Sequence, residues 1–170
     1  MTNLLNMREL EDEGKVMALA DYATPVPDEA NPLLPLLRVE GLRFELRVPG
    51  HRLKPVLRRL QYRYANEQFA AMAQRTLEQA CVSLARSVVR HTGHGRLALA
   101  GGVASNVKAT RLIRLLPEVE ELFVFPHMGD GGLALGAALH ATRQDEEIDA
   151  VALADHDLAL GPSYSDDAIA

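Results

Sequence analysis

One cysteine, Cys81, stands in 170 residues, which excludes both an internal disulfide framework and a cysteine zinc site. No apolar run approaches the ~20 residues needed to cross a bilayer. The N-terminus lacks the basic patch and apolar stretch of a secretory signal. A cytoplasmic protein with no membrane partner is therefore expected. Positive charge is in deficit, with 18 Lys and Arg against 23 Asp and Glu and a net charge of −5. Nonspecific nucleic-acid binding depends on clustered cations, so no nucleic-acid partner is expected either. The chain shows no internal repeat, no low-complexity tract, and no Ser-His-Asp or Cys-His pattern, so catalytic residues stay unassigned. What remains is a chain long enough for one domain with a real core.

The apolar pattern places the elements. Residues 1–20 carry a partial helical stripe of Leu4, Leu5, Leu10, Val16, Leu19 and Ala20. Pro25, Pro27, Pro32 and Pro35 then mark a connection. Alternation from Leu36 to Val48 around Glu40-Gly41 predicts a hairpin with Leu37, Val39, Leu42, Phe44, Leu46 and Val48 on one face. Residues 49–55 read as a loop and Val56–Tyr64 as a short helix. Asn66 is a candidate N-cap for a long helix reaching about His91, with a stripe from Phe69 and Met72 through Leu84 to Val89. Cys81 lies in that stripe as a small apolar residue. Gly93 and Gly95 end the helix. Strand 96–100, helix 104–116, strand 121–125 and helix 131–143 follow, with Pro117 closing the first of these helices. The expected domains are an N-terminal helix and Pro-rich connection (1–35), an α/β half-domain (36–143) and an acidic, linker-like tail (144–170). A hairpin followed by alternating helices and strands describes a ribonuclease H-like half-domain, with one mixed sheet and helices on both faces.

Two glycine clusters carry the chemistry. Gly101-Gly102 follows the first strand, and Gly129-Asp130-Gly131-Gly132 follows the second. Glycine turns that open helices after parallel strands present N–H groups to an anion, usually a phosphate. Gly101-Gly102 also fits a tight turn with close packing. Asn106 can bond a ligand or cap its helix. Lys108 and Arg111 read as solvent-facing rather than phosphate-binding. Asp130 fits an N-cap, or a carboxylate holding a divalent metal bound to phosphates. His127 reads as a surface turn residue with a metal role as the alternative. Glu11-Asp12-Glu13-Gly14-Lys15 reads, alone, as a charged helix end.

Together these pieces resemble the O-carbamoyltransferases of the nodulation and antibiotic-tailoring type. EGKVMALADYA at 13–23 resembles the family's EGKxMGLAPYG, and LALAGGVASN at 97–106 its LxGGVALN. FPHMGDGGLALGAAL at 125–139 resembles PxxGDxGxALGAA, and LGPSYSDDAI at 160–169 resembles LGPxFSxxEI. The resemblance implies the second half of an actin-like ATPase domain. It implies an activity in which carbamoyl phosphate and ATP give a carbamoyl-adenylate, whose carbamoyl group passes to a hydroxyl-bearing small-molecule acceptor. Gly101, Gly102, Asn106, Gly131 and Gly132 would line the nucleotide. Glu13 and Lys15 would lie near ribose or adenine. Asp130 would be one ligand of a divalent metal (iron, Mg or Mn).

The sequence departs from the family pattern at Ala18, where the family has Gly, and at Asp21, where it has Pro. The family's metal-binding H-x-x-x-H is absent. The expectation is therefore a fragment or split subunit, inactive alone, with most metal ligands elsewhere. Its partners would be the missing N-terminal half-domain and C-terminal domain, or a second copy. A non-catalytic nucleotide-binding or assembly module, and half of a tRNA threonylcarbamoyl transferase, are the alternatives.

Overall fold

The computed structural model describes residues 1–142, 162 and 164–169, a mixed α/β arrangement. It divides into two compact units, Met1–Gly132 and Leu133–Ala170. In the first unit the elements run α1 (Glu13–Leu19), β1 (Leu37–Glu40), β2 (Arg43–Leu46), α2 (Gly50–Gln61), α3 (Asn66–Thr92), β3 (Arg96–Leu99), α4 (Val107–Arg114) and β4 (Glu121–Val124). The second unit holds α5 (Leu133–Thr142) and α6 (Asp166–Ile169). Of the expected tail 144–170, residues 144–161, 163 and 170 lie outside the described residues.

Helix α3 is the spine of the first unit. Its amino-terminal half buries Phe69, Ala70 and Met72 against Leu5, Val16, Leu33 and Leu57. Its carboxyl-terminal half packs Ala85 against Ile113, Leu116 and Val119, with half-buried Cys81, Val82, Val89, Leu97, Leu99 and Leu122 around them. One helix thus carries two apolar clusters. It stops at Gly93, whose φ of 71° is left-handed and whose N–H closes on the Val89 carbonyl at 2.8 Å. Its N-cap is Ala65 rather than Asn66. Asn66 is the first helical residue, and its side-chain oxygen accepts from Gln61 Nε2 at 3.1 Å.

Three further expectations change. Residues 1–20 are not one helix: a 3-10 turn at Thr2–Leu5 is separated from α1 by a tight loop. The cause is carboxylate capture, because Asp12 Oδ2 accepts the Arg8 N–H at 2.9 Å and Glu13 Oε1 the Leu10 N–H at 2.8 Å. Those side chains outbid the helical ladder for donors. Residues 50–55 are helical, since α2 begins at Gly50 and contains Pro55. The cost of Pro55 is offset by Leu53, Leu57 and Leu60 packing on the Phe69 cluster.

The third change is the sheet. The hairpin forms as expected, with Leu37 opposite Leu46 and Val39 opposite Phe44. Strands β3 and β4 pair in parallel from Arg96–Glu121 to Leu99–Val124. Among the described residues these are two separate two-stranded sheets, not one mixed sheet. A two-stranded sheet is marginal alone. The hairpin leans on α3, and β3–β4 on the Ile113 cluster.

A buried clip fixes the N-terminal segment to the spine. Asn31 Nδ2 donates to the Met72 carbonyl at 3.1 Å, and its Oδ1 accepts the Leu33 N–H at 3.0 Å. Leu33 is thereby seated beside Phe69. Phe69→Ala should lower stability by about 3–5 kcal/mol in urea unfolding. Asn31→Ala should cost about 1–3 kcal/mol, chiefly by orphaning the buried Leu33 N–H, since the Met72 carbonyl keeps Thr76 Oγ1 at 2.8 Å. A smaller loss for Asn31→Ala than for an exposed-site control would refute the clip.

Candidate functional site

Because β3 and β4 run parallel, their carboxyl ends lie at one edge, and the two glycine clusters leave from that edge. The edge beyond carboxyl ends of parallel strands is where α/β sheets bind ligands. The clusters meet: the Gly101 N–H donates to the Met128 carbonyl at 2.7 Å. Gly101 has φ of 93°, which only glycine adopts without strain. No atom lies within 4 Å of where a β-carbon would stand on Gly101 or Gly102. The close-packing alternative for this pair is therefore not what the structure shows. The turn faces open space.

Gly131 and Gly132 differ. A β-carbon on Gly131 would strike the His127 imidazole, and one on Gly132 the His127 carbonyl. Their close approach is to His127 itself. Neither cluster opens an α-helix directly. Each opens a 3-10 turn, Gly102–Ser105 and Asp130–Gly132, before α4 and α5 begin. Asp130 heads the second turn and is exposed. Among the described residues no group of three or more His, Cys, Asp or Glu could hold a metal ion.

Asn106 caps α4, its Oδ1 accepting the Ala109 N–H at 3.0 Å. Sequence reasoning missed its second role. Gln74 Nε2 donates to the same Oδ1 at 3.0 Å, and Asn106 Nδ2 donates back to Gln74 Oε1 at 2.9 Å. This reciprocal amide pair ties mid-α3 to the first turn of α4 and leaves one Asn106 N–H uncommitted. Gln74 could have been suspected as a polar residue standing between two apolar stretches of the long helix.

Lys108 is a correction. It is half-buried rather than free in solvent: its Nζ pairs with Asp21 and donates to the Met17 carbonyl at 3.3 Å, at the carboxyl end of α1. Cations are favoured at that end of a helix. Arg111 is exposed as expected. Asp21, the departure from the family's Pro, is thus an ion-pair partner, and it joins the EGK helix to the glycine corner.

Within that helix Glu13 Oε1 also accepts from Thr2 Oγ1 at 3.3 Å, and Lys15 pairs with Asp12 at 2.8 Å. The Leu10 N–H holds the Glu13 carboxyl below the usual carboxylate range, and Lys15 does the same for Asp12. Both carboxylates favour the fold at neutral pH, and that contribution fades as acid protonates them. Leu10 pays in strain, being left-handed at φ 70° and 95% exposed.

The amide pair predicts coupling. Gln74→Ala and Asn106→Ala should each lower stability by about 1–3 kcal/mol, and the double variant should cost at least ~0.5 kcal/mol less than their sum. Urea titrations of the four proteins decide it; strict additivity would remove the pair from the account.

The profile of the carbamoyltransferase N-terminus family matches residues 1–139. An uncharacterized protein of Methanocaldococcus jannaschii, MJ1058, is 36% identical over 173 residues, covering 96% of this chain and 28% of that protein. Nodulation protein NolNO of Sinorhizobium fredii is 34% identical over 138 residues, 75% of this chain and 20% of its own length. Nodulation protein NolO of Bradyrhizobium diazoefficiens is 36% identical over 139 residues, 75% of this chain and 24% of its own. The chain spans less than a third of the length of these relatives. With four fifths of its residues inside the family profile and the paired glycine turns in place, the chain belongs to the carbamoyltransferase N-terminal family.

Proposed function

We propose that the glycine corner is one wall of a nucleotide site in a carbamoyltransferase, and that the Met1–Gly132 unit is part of the second half of an actin-like, ribonuclease H-like domain. The observation that carries this reading is the Gly101–Met128 hydrogen bond. It holds two glycine turns together at the carboxyl edge of a parallel pair and leaves the Gly101-Gly102 backbone open. Open turns of this kind receive phosphates through backbone N–H groups. The free Asn106 N–H is one further donor toward the same ligand.

On this reading carbamoyl phosphate and ATP yield a carbamoyl-adenylate with release of phosphate and pyrophosphate, and an acceptor hydroxyl takes the carbamoyl group as AMP and a proton leave. The chain's own part is to bind and orient the adenylate. Glu13 and Lys15 belong to the ribose and adenine side. They reach it only by exchanging their present partners, Leu10 and Asp12. Asp130 would be one ligand of a divalent ion, iron, Mg or Mn, with the others supplied from outside the described residues. Gly131 and Gly132 serve the wall indirectly, by letting His127 fold over the turn.

A second reading is favoured by the hairpin. Phe44 and Leu46 share a face of β2, 53% and 49% exposed, and Leu42 lies in the turn beside them rather than on that strand face. Such a face suits an assembly module that docks on a partner.

Calorimetry with ATP separates the two. Under the first reading ATP binds, and Gly102→Val weakens it about tenfold or more without loss of fold, since the position is open and its φ ordinary. Asp130→Ala should abolish only the metal-dependent part. Absence of ATP binding with and without Mg or Mn would leave the assembly reading. The isolated 170-residue chain is expected to show no turnover of carbamoyl phosphate with ATP, and measurable turnover would overturn its role as a partial site.

A further inference from the structure

The net charge of −5 averages over a surface that is locally inverted. Between Glu45 and Glu67 there is no Asp or Glu, while Arg47, Arg52, Lys54, Arg58, Arg59 and Arg63 all fall in that interval. Helix α2 sorts this segment into faces. Leu53, Leu57 and Leu60 turn inward to the Phe69 cluster. His51, Lys54, Pro55, Arg58, Arg59 and Tyr62 line one shallow outer groove of about 550 Å³. Tyr62 is 84% exposed.

Elsewhere several cations are matched, and those without an ion-pair partner among the described residues, Arg43, Arg90, Arg96, Arg111 and Arg114, are dispersed over β2, α3, β3 and α4. Arg75 grips Asp28 with two bonds of 2.8 and 2.7 Å, Arg86 meets Glu118 at 3.0 Å, and Lys108 meets Asp21. Arg52, Lys54, Arg58, Arg59 and Arg63 have no ion-pair partner among the described residues. Like charges one turn apart, as at Lys54 and Arg58, repel. An anionic ligand would relieve that repulsion.

Three features narrow the ligand. Leu53, Leu57 and Leu60 are engaged on the Phe69 cluster, so beyond the exposed Tyr62 ring α2 offers no continuous apolar face to a lipid surface. Arginine predominates, and its planar fork matches phosphate oxygens. Lys54, Arg58 and Tyr62 succeed one another at single-turn intervals, about 6 Å each. That makes a ladder of two cations and one aromatic plate. Strings of phosphates carrying stackable bases fit it.

We propose that the outer face of α2 binds single-stranded nucleic acid, with Lys54, Arg58 and Arg59 on backbone phosphates and a base stacked on Tyr62. This site is separate from the glycine corner and does not depend on the nucleotide reading.

Fluorescence anisotropy of the full chain with a labelled oligothymidylate tests it. Binding at low salt should weaken steeply as salt rises, because phosphate contacts release counterions. Lys54→Gln with Arg58→Gln and Arg59→Gln should reduce affinity about tenfold or more. Tyr62→Ala should reduce oligothymidylate affinity about fivefold or more, as loss of one stacked base does, yet leave inorganic polyphosphate binding unchanged. Circular dichroism checks that the variants fold; if the triple variant does not, Arg58→Gln alone replaces it, with a smaller but measurable loss expected. Absence of binding at low salt, binding untouched by the charge variants, indifference to Tyr62→Ala, or equal affinity for polyglutamate or phosphatidylserine vesicles would each overturn the proposal.

Discussion

The arrangement of the first unit depends on the amide pair between Gln74 and Asn106. Helix α3 carries two apolar clusters, and Gln74 sits between them. An amide buried there without partners would be costly. Asn106 satisfies it and spends the same oxygen on capping α4. The start of α4, and with it the Gly101–Ser105 turn just upstream, is thereby referenced to the middle of the spine. Gln74 Nε2 also reaches Glu78 Oε1 at 2.9 Å, which holds its amide in the orientation the pair needs.

A second constraint acts through Lys108. Its pairing with Asp21 and the Met17 carbonyl fixes the end of α1 to the first turn of α4. Glycine corner, EGK helix and spine therefore share one polar junction, made of residues remote in sequence. The two small sheets are attached around it by helix packing rather than by strand pairing. This arrangement leaves the apolar face of the hairpin half-covered, consistent with a chain that spans a minor share of its relatives' length.

The surface divides electrostatically. Where α3 meets Asp28 and Glu118, arginines are matched by carboxylates. Asp28 is further held by Gln79 at 2.7 Å, and the Arg75 guanidinium keeps its carboxyl below the usual range. Along α2 no such matching occurs. A sum over the sequence conceals that contrast, because opposite charges far apart on the surface cancel only in the total.

Much was legible from residue order alone. Period-two alternation gave the hairpin, and the apolar stripe gave α3 to within a residue at its end. The glycine clusters and the EGK, GGVASN and GDGG segments carried the family membership, because these are local strings. The sequence could not show which side chain answers which. Asn106 was legible as a cap because capping is a local bond to Ala109. Its partnership with Gln74, 32 residues away, was not. Asp21 read only as a departure from a motif until Lys108 was found against it. The helical state of 50–55 was hidden by Pro55, since local propensity opposes what Leu53 and Leu57 gain by burial. Sequence alone determined the hairpin, α3, the glycine turns and the family, all set by neighbours along the chain. Tertiary structure decided the polar partners, the separation into two sheets and the charge map, because these depend on distances that only packing establishes.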